Sequence, residues 1–521
     1  MQDHSEKSMV DLFVEMEQTL PVNTYDINGV NAWPYIRLSI KNKIDSHFLV
    51  HGGNPRSAST PSFISRVKLA ARLFGQSCRL VIKGVWQFPW RHYFSKTSID
   101  ILMFCFNSAY MRVGEKEINR NLIGMVDGLQ KAQNQRFYIW EYTAIDDVKS
   151  KPDFPGLNIT PVSAALNEWC RFRIAFSDLF PKKEWDFVTQ INIFLEAKGL
   201  PVRLESHKLF HEMQRIITFS QFLRPYLVRH NVKKVINVCY YSYVGMAVNL
   251  ACYREKRLSI EYQHGVQTEF HPLYSNWSNV PEKGYALLPE AFWLWGEATY
   301  QVIHQWAQHQ RFHVAKIVGN AWLPYFSEQI AGTLTLTPAQ QARYANKTLI
   351  LVSLQAFPEH YRTHVTEAMK QSDDNWLWVL KEHPRYLLSD AQLESEFGTL
   401  LQQGKVIVER DFSLYEMLSL ISFDVHLTAY STVAFECEYY GIPTIFFHEN
   451  GVKGNATLLE QAAHFYSGLQ CDELLRNMQL ALNIDEIQPI YMAKDVSVVD
   501  ALLLDKEKLA AINHSSHYSA R

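Results

Sequence analysis

Three short clusters in this 521-residue chain place ionisable or hydroxyl side chains where apolar runs end. The first is Glu261-Tyr262-Gln263-His264-Gly265, which continues the strand that begins Leu258-Ser259-Ile260. A carboxylate and an imidazole three residues apart can supply a general base or nucleophile and a group that orients or returns the proton. Gly265 permits a tight turn or a positive φ that would present both at a sheet edge. Gln263, His271 and Tyr274 would line the side on which an acceptor sits. A core glutamate paired with a neighbouring histidine is the competing reading, and Glu141, ending the run FYIWEY, competes as the catalytic carboxylate.

The second cluster is Lys381-Glu382-His383-Pro384-Arg385, after the apolar run 376–380. Lys381, His383 and Arg385 offer charge-assisted hydrogen bonds to a phosphate or carboxylate. A solvated basic turn is the plainer alternative. In the third, Ser431 and Thr432 follow the run 424–428 where a helix is expected to begin, so hydroxyls and free backbone N–H groups converge. Glu436, one turn further, can accept hydrogen bonds from ribose hydroxyls; an ordinary N-cap with a surface glutamate explains the same residues without a ligand. Together the second and third clusters suggest a metal-free clamp for a nucleotide phosphate.

The elements that must position these clusters alternate. Apolar runs at 99–106, 137–142, 234–240, 258–262, 292–295 and 316–318 read as buried parallel strands separated by helices, with a long helix at 206–229. The rhythm restarts with strands at 348–353, 376–381, 405–408, 424–428 and 443–447, and the tail from 455 reads as helical. The expected class is α/β, with two doubly wound domains whose ligands lie beyond the carboxyl ends of the strands. The expected division is an N-terminal helical and basic segment 1–96, a first domain 97–325, a second domain 326–460 and a helical tail 461–521.

Composition narrows the function classes. A hydrophobic share of 47% and a net charge of -2 describe a globular protein without a nucleic-acid-binding surface. Seven scattered cysteines form no CxxC pair, which points to a reducing cytoplasm rather than a disulfide framework. GxGxxG, GxxxxGK[ST], HExxH and GxSxG are all missing, so dinucleotide, P-loop, zincin and α/β-hydrolase chemistry are not indicated. No secretory signal and no membrane-spanning run is evident. Residues 56–96 hold eight Lys or Arg and no Asp or Glu, interleaved with Phe63, Phe74, Trp86, Phe88, Trp90, Tyr93 and Phe94. That mixture suits either peripheral contact with an anionic membrane or a helix packed on the first domain.

In their order, Glu261 to Gly265, Lys381 to Arg385, and Ser431-Thr432 with Glu436 and Gly441-Ile442-Pro443 resemble bacterial capsule and lipopolysaccharide glycosyltransferases of the GT-B type. The His-Pro pair followed by a Ser/Thr pair is similar to the CMP-binding apparatus of sialyl-, polysialyl- and Kdo-transferases. The resemblance spans residues 230–450. It implies two Rossmann-like domains facing across a cleft, to which the residues themselves add the N-terminal helical and basic segment. It further implies that His383, Ser431 and Thr432 hold the donor phosphate, that Glu436 holds the ribose, and that an acidic residue of the first domain catalyses. The implied reaction is transfer of Kdo or a nonulosonic acid from a CMP-activated donor to a glycan or glycolipid acceptor of the capsule or lipopolysaccharide. No cofactor and no metal is implied. The implied location is cytoplasmic or peripheral at the inner membrane. The same elements resemble teichoic-acid enzymes that use CDP-glycerol or CDP-ribitol; a non-catalytic assembly or export protein of the same fold is the third possibility.

Overall fold

The computed structural model describes residues 6–50, 88–106, 109–113, 116–133, 135–142, 156–175, 183–355, 363–384 and 386–503, with scattered positions between 75 and 86. Two compact units emerge. The first comprises Met1–Leu294, Thr299–Lys316 and Val498–Arg521; the second comprises Trp295–Ala298 and Ile317–Ser497.

In the first unit the strands are β1 (Ile101–Phe106), β2 (Tyr110–Val113), β3 (Lys116–Asn119), β4 (Phe137–Tyr142), β5 (Gly156–Asn158), β6 (Lys234–Asn237), β7 (Leu258–Tyr262), β8 (Ala291–Leu294) and β9 (Val314–Ile317). Seven of them form one sheet in the order β5-β4-β1-β6-β7-β8-β9. Its described register pairs are parallel, from Ile139↔Gly156 to Ile260↔Ala291. The strand order reverses between β1 and β6, so the crevice of a doubly wound sheet falls at their carboxyl ends. β2 and β3 form a separate antiparallel hairpin between β1 and the helix that follows, where no strand was expected.

The second unit adds β10 (Thr348–Ser353), β11 (Trp376–Lys381), β12 (Val406–Val408), β13 (Val425–Thr428), β14 (Thr444–Phe446) and β15 (Phe465–Ser467), in the order β12-β11-β10-β13-β14-β15. Its paired strands are also parallel, and the reversal lies between β10 and β13. Alternate residues feed two cores: Ile350, Val352, Trp376 and Trp378 face one side, while Leu349, Leu351, Leu377 and Val379 face the other. Burial on both faces is why these strands read as continuous apolar runs.

The units divide the chain differently from the sequence reading in three places. The helices α1 (Glu6–Thr19) and α2 (Trp33–Val50) belong to the first unit, because Phe13, Trp33 and Ile36 share one core with Phe104 and Trp140. The region after 460 is not purely helical: β15 extends the second sheet, and Leu474 and Met478 pack into the same core as Ile350. Helix Val498–Leu503 then returns to the first unit, where the Lys234 ammonium donates to the Leu502 carbonyl. Gly128 lacks the Cβ that would fall 2.2 Å from the Val499 side chain, so this helix can lie close. No described helix is long and apolar enough to cross a membrane.

Candidate functional site

β7 delivers Glu261 to the carboxyl end of the first sheet, next to the reversal point. The side chain is 1% exposed. Oε1 accepts from the Tyr274 hydroxyl, while Oε2 has no hydrogen-bond partner. Burial pushes the carboxyl up to about 8 against the hydrogen bonds from Tyr274 and the Tyr240 amide, which favour the anion. Glu261 therefore holds a proton at neutral pH, and Oε2 is the oxygen left to carry it.

His264 sits 3.9 Å from Glu261, Nδ1 to Oε1, and its Nδ1 has no hydrogen-bond partner. Burial, reinforced by the nearby charge of Arg120, lowers this imidazole to about 4, so it stays neutral with a lone pair to offer. The Tyr241 hydroxyl lies 3.5 Å from Nε2. His271, lowered to about 3 chiefly by burial, packs against Tyr274 with ring centroids 4.8 Å apart. The arrangement is a proton-bearing carboxyl beside a neutral imidazole, which suits general acid–base work.

Three sequence expectations change here. Tyr274 is 1% exposed and spends its hydroxyl on Glu261, so it positions the carboxyl from behind rather than lining an open acceptor side. Gln263 is also buried, donating to the Gly265 carbonyl at 2.9 Å and to Thr299 Oγ1 at 3.2 Å. Gly265 does not adopt a positive φ, and a Cβ there would meet nothing within 4 Å.

Glu141 occupies a different place. Register aligns Trp140, Phe104, Asn237 and Glu261 in one row across β4, β1, β6 and β7. Side chains alternate along a strand, so Glu141, one residue past Trp140, points to the opposite face from Glu261. Three inter-strand spacings, about 14 Å, also separate them. Glu141 is buried against the Tyr110 hydroxyl and Cys105. The two carboxylates cannot serve one bond as a pair.

In the second unit the reversal point brings together the ends of β10 and β13. Thr428 Oγ1 donates to the Ser353 carbonyl at 3.1 Å and accepts from Gln355 Nε2 at 3.3 Å and the Ser431 amide at 3.2 Å. Ser431 Oγ caps the Val433 amide at 3.3 Å, while Thr432 is exposed and makes no side-chain cap to helix Val433–Tyr439. Glu436 lies half-buried in that helix. Gly451 lets the next helix approach: a Cβ there would fall 2.0 Å from the Ala429 carbonyl oxygen.

The Lys381 cluster divides. The Lys381 ammonium donates to the carbonyls of Glu409, at 3.2 Å, and Phe412, and burial lowers its pKa. It already serves as a strut for the loop after β12, which weakens its expected role as a phosphate ligand. Glu382 is buried in a two-point ion pair with Arg410 and accepts from the Leu388 amide at 2.7 Å. His383 is half-buried beside the end of β11, and Arg385 lies outside the described residues. Among the described residues no three His, Cys, Asp or Glu side chains gather as metal ligands.

No family model and no curated protein matches the chain. Several solved structures resemble it. UDP-GlcNAc 2-epimerase from Neisseria meningitidis, bound to UDP-GlcNAc, is 11% identical with a TM-score of 0.46, over 80% of this chain and 100% of that one. The Methanocaldococcus jannaschii UDP-GlcNAc 2-epimerase, in complex with UDP-GlcNAc and UDP, is 13% identical with a TM-score of 0.39, over 80% and 100%. Anabaena HepE, in complex with UDP and glucose, is 12% identical with a TM-score of 0.35, over 81% and 100%. At these identities the likeness is one of fold.

Sequence reasoning missed the brace that holds the His271–Tyr274 loop. Arg37 of α2, fully buried, pairs with Glu17 of α1 at 2.9 Å and donates to the Pro272 and Ser275 carbonyls. Its guanidinium lies between the rings of Phe13 and Trp277, at 4.8 and 3.9 Å. Glu17 also accepts from Trp33 Nε1 and from the amide and hydroxyl of Ser278. These contacts offset the cost of burying the pair, although Arg37 Nε has no hydrogen-bond partner. An Arg in an otherwise apolar helix stripe (Trp33, Ile36, Ile40, Ile44) was the available signal.

Proposed function

We propose that this protein is a nucleotide-sugar-dependent glycosyltransferase, moving an acidic sugar from a CMP-activated donor to a hydroxyl of a bacterial capsule or lipopolysaccharide glycan. The observation that carries the reading is the buried Glu261 carboxyl, held at the sheet's carboxyl edge with a pKa raised to about 8 and one oxygen unpartnered. A base with a pKa near the working pH is best matched to taking a proton from an acceptor hydroxyl as that oxygen attacks. In the proposed step the acceptor oxygen bonds to the anomeric carbon and the bond from that carbon to the CMP phosphate oxygen breaks. The electron pair leaves on the phosphate, and the hydroxyl proton passes to ionised Glu261. His264 stands next to that carboxyl as a neutral acceptor able to relay the proton. Ser431, Thr432 and His383 are the proposed phosphate contacts, with Glu436 at the ribose and Gln355 and Thr428 at the same sheet edge.

The test is donor consumption by the purified chain. CMP-Kdo, a CMP-nonulosonic acid, CDP-glycerol, CDP-ribitol and UDP-GlcNAc are each supplied with capsule or lipopolysaccharide acceptor, and nucleotide release is followed. Release from the CMP-sugars alone supports the proposal. Consumption of a CDP-alditol replaces the sugar with an alditol phosphate, and consumption of UDP-GlcNAc replaces the donor class. Release from none of them, with no thermal stabilisation by any nucleotide, favours a non-catalytic assembly role.

A further inference from the structure

Residues 56–74 of the basic, aromatic region before β1 lie outside the described residues, and the described positions from 75 to 96 divide in two. Phe88 and Tyr93 are core residues, 4% and 6% exposed. Trp86, Ile82 and Phe94 face outward at 87%, 62% and 58% exposed. Gly84 explains the direction: a Cβ there would fall 2.3 Å from the Pro161 carbonyl oxygen and 2.6 Å from Ala165 Cβ. The glycine edge is thus seated against helix Thr160–Ala175, which turns the larger side chains away.

The outward ridge continues into a groove. Trp90 Nε1 donates to the Val85 carbonyl at 2.7 Å, and the Trp90 ring stacks on Phe94 at 5.8 Å. The Arg229 guanidinium lies 5.0 Å from the Phe94 ring and 5.9 Å from the Tyr93 ring. Arg229 joins Lys96, Arg224 and Val228 around an open groove of about 760 Å³, in which Glu255, paired with Arg224, is the lining acid. Arg79, Arg91 and Lys96 are exposed. Arg224, Val228 and Arg229 come from the distant helix Ser206–Arg229, so the sequence segment alone did not reveal this surface.

We infer that this ridge and groove form a docking surface for an anionic phospholipid bilayer, the rings entering at headgroup depth and the groove cations meeting lipid phosphates. The charge decides the occupant. The exposed cations Arg79, Arg91, Lys96 and Arg229 attract an anionic surface and oppose a second copy of the same face. Large exposed aromatic rings flanked by cations are what an interfacial protein requires.

The full chain is sedimented with vesicles of phosphatidylcholine alone and of phosphatidylcholine mixed with phosphatidylglycerol, at low and high salt. The expected result is pelleting with the phosphatidylglycerol vesicles only, reversed by salt. Lys96→Gln with Arg229→Gln should weaken binding about 25-fold, because each basic residue near such a surface contributes about 1 kcal/mol. Trp86→Ser with Phe94→Ser should weaken it further, with an unchanged circular dichroism melt. Brominated lipid gives an independent readout: it should quench the wild-type tryptophan fluorescence more than that of Trp86→Phe. A chain that stays in solution with phosphatidylglycerol vesicles at low salt overturns the inference. So does equal quenching in wild type and Trp86→Phe, or variants that bind as wild type does.

Discussion

Replacing Glu261 by Gln keeps the shape of a protonated carboxyl and removes its titration. In the folded chain this group titrates at about 8, against 4.5 for a free glutamate, because burial penalises the anion. Between those values folding takes up a proton that the opened chain lacks. The stabilising contribution is therefore fully present below pH 4.5 and is lost as pH rises through about 8. At about 1.4 kcal/mol per unit the gap sets a ceiling of about 5 kcal/mol on the change. Glu261→Gln has no such loss, so it should gain on wild type steadily as pH rises across that window. Amide hydrogen exchange over 258–274 reports the opening of the first unit, and intrinsic exchange rates cancel in the ratio of variant to wild type at each pH. The expected ratio of protection grows toward tenfold per pH unit through the middle of the window and levels off above 8. A ratio that does not change with pH would refute the reasoning, because Glu261 would then ionise as an ordinary surface carboxyl does.

Other expectations follow from neighbouring groups. Tyr274→Phe removes a hydrogen bond that favours the anion, so the pH at which Glu261-dependent activity is half-maximal should move upward; a downward move would contradict the assigned donor. His264 and His313, both lowered to about 4 by burial, contribute stability present above pH 6.5 and lost as pH falls through 4. Each should cost about 2 kcal/mol between pH 6.5 and pH 5, read as urea sensitivity that a His313→Gln chain shows less steeply. Arg37→Met strands Glu17 as a buried charge and should destabilise the first unit by about 3–5 kcal/mol, seen in its exchange protection; the double change with Glu17→Gln should recover part of that loss. His383→Ala should weaken donor binding and turnover together, measured by thermal shift with CMP and by initial rate, and unchanged values would remove His383 from the phosphate site.

Much of the architecture was visible because both sheets are buried on both faces. Runs such as TLILVS and WLWVLK have no polar alternation to blur them, and β10 and β11 occupy the expected residues. The first-unit carboxyl–imidazole pair was visible for the same reason: Glu261 interrupts a fully buried strand, which an acid rarely does without cause. Short or unpatterned elements were less legible. β15 has three residues, and the β2–β3 hairpin carries ordinary polar positions. Side-chain commitments across the chain were not legible at all. Lys381 looks like a phosphate ligand until the loop after β12 supplies carbonyl oxygens, and Arg37 looks like a surface residue until Glu17, Phe13 and Trp277 close around it. Parity along the strands separated Glu141 from Glu261, which required the register of four strands at once.

The most direct test of the account is initial-rate turnover of a CMP-activated acidic sugar by wild type and Glu261→Gln, with glycan acceptor, from pH 5 to pH 9. The account predicts wild-type turnover that rises with pH, is half-maximal near 8 and levels above that as the buried carboxyl ionises, and turnover lower by about 100-fold or more in the variant, the scale of a lost general base. Turnover by the variant equal to wild type, or a wild-type rate that falls across the same range, would contradict it.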